Sequence, residues 1–314
     1  MTKSISRRSF LAGSLAVTAS SGVPFKSFAF DGIRRRAIPG TDETLPVVGL
    51  GAPGFFYKTP PEGDEPAKAV IRAMVEAGGT VIDTPPFFRP DPPVVGRILQ
   101  ELGLVDDLFL TGKITVAGKE AGIRHLETSL ANLGKDPIDL LMVHNMRDIE
   151  NHWPTLRDWK EAGRTRYIGV SLTRQTAYNN LTDYSAMEKF MVAEKPDFVM
   201  PGYSIFRTSA ADRILPAASD NGIAVMVAEP FKAQEDGSFF NAVAGIQLPE
   251  WAEEFDCESW AQFALKYIIS NPAVTCVLTE TSKVKHIVDN MGAGFGRLPD
   301  AAMREKMSAY VLSL

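Results

Sequence analysis

Four polar side chains fall at the C-terminal ends of four successive β-rich runs: Asp83 ends 80–83, Lys113 follows 108–112, His144 follows 138–143 and Ser171 ends 166–171. An aspartate and a lysine on neighbouring strand ends can pair, and each then holds the other charged. With a histidine beside them, the set suits proton transfer to or from a small molecule. The same residues equally suit a structural ion pair next to a satisfied histidine, and strand position alone leaves both readings open. The stretch VIDTPPFFRP, 81–90, sharpens the question. Its acid is followed by two prolines and two phenylalanines, with no proton-carrying group nearby.

The elements that must position these residues alternate along the chain. Apolar runs at 47–50, 80–83, 108–112, 138–143, 166–171, 197–200, 223–227 and 274–278 are separated by stretches with helical apolar spacing at 67–77, 94–102, 121–133, 153–162, 187–193, 211–221 and 259–270. Continuous apolar strands between amphipathic helices pair in parallel with the helices outside. Eight such strands predict an α/β fold, a (β/α)8 TIM barrel, whose strand C-termini converge on one rim. Upstream, RRRAIPGTDETLPVVGLGA carries a Pro-Gly turn between two extended runs and predicts an N-terminal β-hairpin. The segment 230–256, after the seventh strand, reads as a long loop on the functional rim or as a bland insertion.

With 314 residues, 45% of them hydrophobic, the chain has ample material for a large core. A net charge of −5 without a block of like charges argues against nucleic acid as a partner. Two cysteines, Cys257 and Cys276, do not make a disulfide scaffold and read as buried thiols.

The first 29 residues form a separate unit. Arg7-Arg8, a short apolar run over 11–23 and the small-x-small end Ser27-Phe28-Ala29 have the form of a twin-arginine signal. The expectation is a signal peptide at 1–29, cleaved after Ala29, and a barrel domain at 30–314. The partner for export is the twin-arginine translocation machinery, and the destination is the periplasm. The apolar run is too short and too rich in Ser, Gly and Ala for a permanent membrane anchor. Cleavage removes Lys3, Arg7, Arg8 and Lys26 and no acid, taking the net charge from −5 to −9. Because this route carries folded proteins, a cofactor can travel inside.

Over nearly all of 34–290 the chain resembles the aldo-keto reductases. The resemblance is carried by GLG at 49–51, VIDT at 81–84, LTGK at 110–113, DLLMVH at 139–144, KEAGRTRYIGVS at 160–171, YSIF at 203–206 and TSKVKHIVDN at 281–290, in that order. It implies a barrel that binds a nicotinamide dinucleotide, NADP or NAD, across its C-terminal rim and reduces the carbonyl of a small-molecule substrate. It also implies that Asp83, Lys113 and His144 occupy three places of the family's catalytic tetrad. The fourth, a proton-donating tyrosine five residues after the aspartate, is Phe88 here. The acid of VIDTPPFFRP is thus the family's, without its usual beneficiary.

The resemblance places Ser171 at the nicotinamide carboxamide, with Leu172, Met200 and Ala228 where the family has an asparagine, a glutamine and a stacking aromatic. At the adenosine end it implies contacts from Ser282, Lys283, His286 and Asn290, beside a helix N-terminus that favours anions. His286 stands where an arginine is common, and Glu280 where many members carry a base for the 2′-phosphate. Two groups are considered for the missing acid: Tyr57 in the first strand-to-helix loop, and His144 with a pKa raised by the neighbouring carboxylate. Phe55, Phe56, Phe87, Phe88 and Trp251 suggest an apolar pocket. Three functional readings follow: an exported NAD(P)-linked oxidoreductase with an incomplete tetrad, a non-redox lyase or isomerase on the same barrel, and a catalytically inactive binding protein.

Overall fold

A computed structural model describes residues 32–56, 63–85, 94–173, 183–233 and 237–314. Strands β1 (Arg35–Ala37) and β2 (Thr44–Pro46) pair antiparallel around the Pro39-Gly40 turn, as the hairpin reading expects. Eight parallel strands then close a barrel: β3 (Val48–Leu50), β4 (Val81–Asp83), β5 (Phe109–Ile114), β6 (Ile138–Val143), β7 (Thr165–Leu172), β8 (Phe198–Pro201), β9 (Ala224–Val227) and β10 (Val274–Thr279). They pair in chain order, and β10 closes against β3.

Outside run α1 (Glu65–Glu76), α2 (Val94–Leu102), α3 (Lys119–Leu133), α4 (Ile149–Glu161), α5 (Ser185–Glu194), α6 (Ser209–Asn221), the short α7 (Phe239–Ala242), α8 (Trp260–Ile269), α9 (Val284–Gly292) and α10 (Ala301–Leu312). No helix among the described residues is long and apolar enough to cross a membrane.

Period-two alternation divides the apolar residues into two cores. On β6, Leu140 and Met142 point into the barrel, while Leu141 and Val143 face the helices. The barrel interior is completed by Val81, Phe109, Phe198, Met226 and Cys276, and its N-terminal end by Ile38 and Leu45 of the hairpin. Arg36 of the hairpin donates to the backbone carbonyls of Ile269, Asn271 and Val274, which fixes this cover to the end of α8 and the start of β10. Among the described residues, the hairpin covers the end of the barrel opposite the rim on which Asp83 and Lys113 sit. Cys257 and Cys276 are both buried free thiols, as expected.

Two parts of the chain depart from the sequence-based expectation. The described part of 230–256 is folded: Ser238 caps α7, with its hydroxyl accepting from Phe240 N, Phe239 is fully buried, and a 3-10 turn spans Glu250–Phe255. The helix α10 had no forecast. Its N-cap, Asp300, accepts from Met303 N at 2.8 Å, but only Met307 and Val311 are buried, too few to give a readable apolar stripe.

The α2–α3 packing shows why some glycines are needed. A Cβ on Gly96 would lie 1.9 Å from the Asn132 carbonyl oxygen, so α2 reaches α3 only without a side chain there.

Candidate active site

Parallel pairing sets Asp83 beside Thr111, two residues before Lys113 on β5. The Lys113 ammonium donates to Asp83 Oδ1 and, at 2.9 Å, to the carbonyl of Thr84; Thr111 Oγ1 donates to the same Asp83 oxygen. Asp83 is 7% exposed and Lys113 4%, so this pair is desolvated and its partners are fixed. The strand-end expectation is met for these two residues.

His144 follows β6 directly and lies on the cavity wall with them. Its Nδ1 is 2.9 Å from Ser171 Oγ, and its Nε2 is 3.2 Å from Asn145 Nδ2. Burial pushes its pKa down to about 4, the Lys113 charge adds to that, and Asp83 opposes it. The idea that the carboxylate raises the His144 pKa is thus corrected: desolvation and the ammonium outweigh it.

Ser171 is fully buried beneath His144, where its hydroxyl also accepts from Asn145 N at 3.0 Å. Leu172 and Met200 are buried and apolar, and Ala228 and Met200 reach the cavity wall.

The cavity over the barrel mouth has a volume of about 670 Å³. Beyond Asp83, Lys113 and His144 its walls include Glu229, Lys232 and Glu280, with Phe231 and Phe240 as its aromatic sides. Burial, together with repulsion from Asp83 and Glu229, raises the Glu280 pKa, while Lys113 and Lys232 counteract. Glu229 has a left-handed backbone, φ 57, and its carboxylate takes a 2.8 Å bond from Arg207. Such a conformation in a non-glycine residue is concentrated at functional sites.

A second cavity of about 300 Å³ shares Phe231, Phe240 and Glu280 with the first. It is lined further by Trp260, Thr281, His286, Asp289 and Asn290. His286 and Asn290 therefore meet at one site, whereas Ser282 and Lys283 are exposed on the turn leading into α9. The His286 pKa is lowered by desolvation and by Lys285 and Lys283, against a weaker pull from Asp289.

The apolar-pocket reading needs correction. Phe55 and Phe56 are buried in the core between barrel and helices. Trp251 packs on Phe255, Phe263 and Tyr310. Phe231 and Phe240 take their place as the cavity's aromatics. Tyr57, Phe87 and Phe88 lie outside the described residues.

The model of the Aldo/keto reductase family matches residues 47–310. The chain belongs to that family. Among curated relatives, it is 22% identical over 305 residues to an NADP(+)-designated aldo-keto reductase of Schizosaccharomyces pombe, covering 84% of this chain and 88% of that one. It is 28% identical to an aldo-keto reductase of Bacillus subtilis over 172 residues, and that match spans 50% of this chain and 49% of the relative.

Among solved structures, the holo form of an aldo-keto reductase from Bacillus halodurans superposes with a TM-score of 0.69 at 19% identity, covering 89% of this chain and 96% of that one. An aldo/keto reductase of Klebsiella pneumoniae in complex with NADP and acetate gives 0.64 at 20% identity, covering 87% and 94%. Likeness at these identities speaks for the barrel, and the family as a whole works with nicotinamide nucleotides.

Two polar residues lining or adjoining the cavities of this aldo/keto reductase barrel escaped the sequence reading. Asn145, directly after His144, bonds the ring, and Asp289 in α9 accepts from Ser259 Oγ at 2.8 Å and Gln262 Nε2 at 2.9 Å. Asn145 lies just outside the quoted motifs, and Asp289 lies within TSKVKHIVDN without being singled out there. The only available signal was adjacency to residues already marked.

Proposed function

We propose that this chain is an oxidoreductase that binds a nicotinamide dinucleotide across the two adjoining cavities and acts on a carbonyl or alcohol of a small molecule at the barrel mouth. The observation that carries this reading is that the two cavities adjoin, with Phe231, Phe240 and Glu280 in the walls of both, Asp83 and Lys113 lining the first and His286 and Asn290 the second. That shape suits a long ligand with two ends. At the adenosine end, Asn290 and His286 supply polar groups beside the first turn of α9, whose free N–H groups favour an anion. When bound, the nucleotide supplies or takes a hydride.

This chain's own residues do the rest. Lys113 and Asp83 hold a fixed charge pair against the substrate space, and the apolar Met200, Leu278 and Phe231 limit water there. Glu280, on the wall common to both cavities, sets a carboxylate where phosphates would pass. We therefore favour NAD over NADP, the dinucleotide with fewer phosphate charges.

A second reading is favoured by Leu172 and Met200, which set apolar side chains where the family holds the carboxamide, and by Phe88 at the position of the donor tyrosine. On that reading the tetrad is incomplete and the barrel carries a non-redox proton transfer or only binds. Mass and absorbance of the purified protein discriminate. Co-purifying dinucleotide supports the first reading; no retained dinucleotide, together with no binding of added NADH or NADPH, removes it.

The location proposed is the periplasm, reached by twin-arginine export of the folded barrel at 30–314 and removal of residues 1–29. Replacing Arg7 and Arg8 together by lysine should keep the precursor in the cytoplasm. Unchanged export of that variant would refute the assignment.

A further inference from the structure

The direction of each hydrogen bond around His144 follows from groups with only one possible role. The backbone N–H of Thr173 can only donate, and it points at the Asn145 side chain at 2.9 Å, so the atom facing it is Oδ1. Thr173 Oγ1 donates to the same oxygen at 3.2 Å. The amide orientation of Asn145 is thereby set, and its Nδ2 faces His144 Nε2 at 3.2 Å. An amide nitrogen of this kind only donates, so Nε2 must accept.

A neutral imidazole that accepts at Nε2 carries its hydrogen on Nδ1, which donates to Ser171 Oγ at 2.9 Å. Ser171 Oγ takes the Asn145 backbone N–H as well, at 3.0 Å. One tautomer satisfies every bond. The other, or a charged ring, would set Nε2–H against the amide hydrogens.

We infer that Asn145 is a positioning residue that locks His144 in the Nδ1–H form with its Nε2 lone pair capped, so that His144 hands no proton to a molecule in the cavity. The backbone at Asn145 is left-handed, φ 51 and ψ 32, a conformation asparagine tolerates better than most residues. The charged groups facing the ring are Lys113 on β5 and Asp83 on β4. The ammonium and the burial of the ring both disfavour the imidazolium that donation would require.

The inference deepens the proposed function by removing the remaining tetrad candidate for proton donor. It rests on that reading only in taking this cavity as the reaction site. The test needs no nucleotide, so its failure and the failure of nucleotide binding are separate results.

The experiment is a long-range proton–nitrogen correlation on the full barrel with 15N-labelled histidine, the His144 signals being those lost in His144→Gln. The expected pattern is that of a ring protonated at Nδ1, unchanged from neutral pH down to about pH 5. In Asn145→Asp one carboxylate oxygen still accepts from Thr173 N, while the other can accept from Nε2–H. The tautomer should then reverse, and the titration midpoint of His144 should move upward. A wild-type ring protonated at Nε2 overturns the inference by itself, even if the variant fails to fold. A folded Asn145→Asp with unchanged tautomer and midpoint also overturns it.

Discussion

The Lys113 ammonium donates to the Asp83 carboxylate across the β4–β5 pair, and Thr111 of the same strand donates to the same oxygen. Both ions are largely buried and reach solvent only at the cavity wall. Replacing Lys113 by methionine leaves the buried Asp83 carboxyl without its cation, at a cost of about 3–5 kcal/mol. Denaturant midpoints should show that loss, and the double change Asp83→Asn with Lys113→Met should recover a large part of it. A single variant as stable as the parent would mean that the pair is solvated.

His144 makes stability depend on pH in a defined window. Its folded pKa of about 4 lies below the ordinary 6.5, so the unfolded chain takes up the proton first. The contribution of the neutral ring is therefore complete above 6.5 and is lost as the pH falls through about 4. The slope attributable to this ring reaches about 1.4 kcal/mol per pH unit. The difference between parent and His144→Gln, measured by urea denaturation across that window, should carry this slope. Parallel curves would refute it.

Lys266 is fully buried in α8, and its ammonium donates to the carbonyls of Phe255, Phe295 and Arg297 at 2.7–2.9 Å. It ties the 3-10 turn at Glu250–Phe255 to the segment between α9 and α10. Lys266→Met keeps most of the packing and leaves these carbonyls without that donor, which should cost about 3 kcal/mol or more. The measurement is thermal and denaturant unfolding, and an unchanged midpoint would contradict the account.

The barrel was legible because its signals are local and repeated: eight apolar strands and seven intervening helices appear near the places their spacing indicated. Asp83 and Lys113 were legible for the same reason, since strand-end position alone brings them to one rim. The His144 protonation state was not legible. It depends on Asn145, Ser171 and Thr173, neutral residues whose bonds are set by a left-handed turn that no spacing announces. The cavity aromatics were misassigned because composition cannot tell Phe55, packed in the core, from Phe240, exposed over the mouth.

On the resemblance to the aldo-keto reductases, Phe88 stands at the place of the family's proton donor; it lies outside the described residues. Where only the acid is missing, Phe88→Tyr should raise kcat/KM for carbonyl reduction by about 100-fold or more. On the proposed reading, the buried apolar Leu172 and Met200 would give the nicotinamide end few polar contacts, and loose orientation would cancel much of such a gain. The expected outcome is at most a marginal increase in steady-state reduction with NADH or NADPH. Full-strength reduction by this single variant would show that the nicotinamide end is well held.

The central claim is that the two adjoining cavities together take one nicotinamide dinucleotide. Calorimetric titration of the purified barrel with NADH and with NADPH tests it most directly. The account predicts saturable one-to-one binding, tighter for NADH, weakened by Asn290→Ala and brought closer to parity between the two nucleotides by Glu280→Lys. No heat of binding for either nucleotide at millimolar concentration, on protein shown to be folded and free of nucleotide, would contradict it.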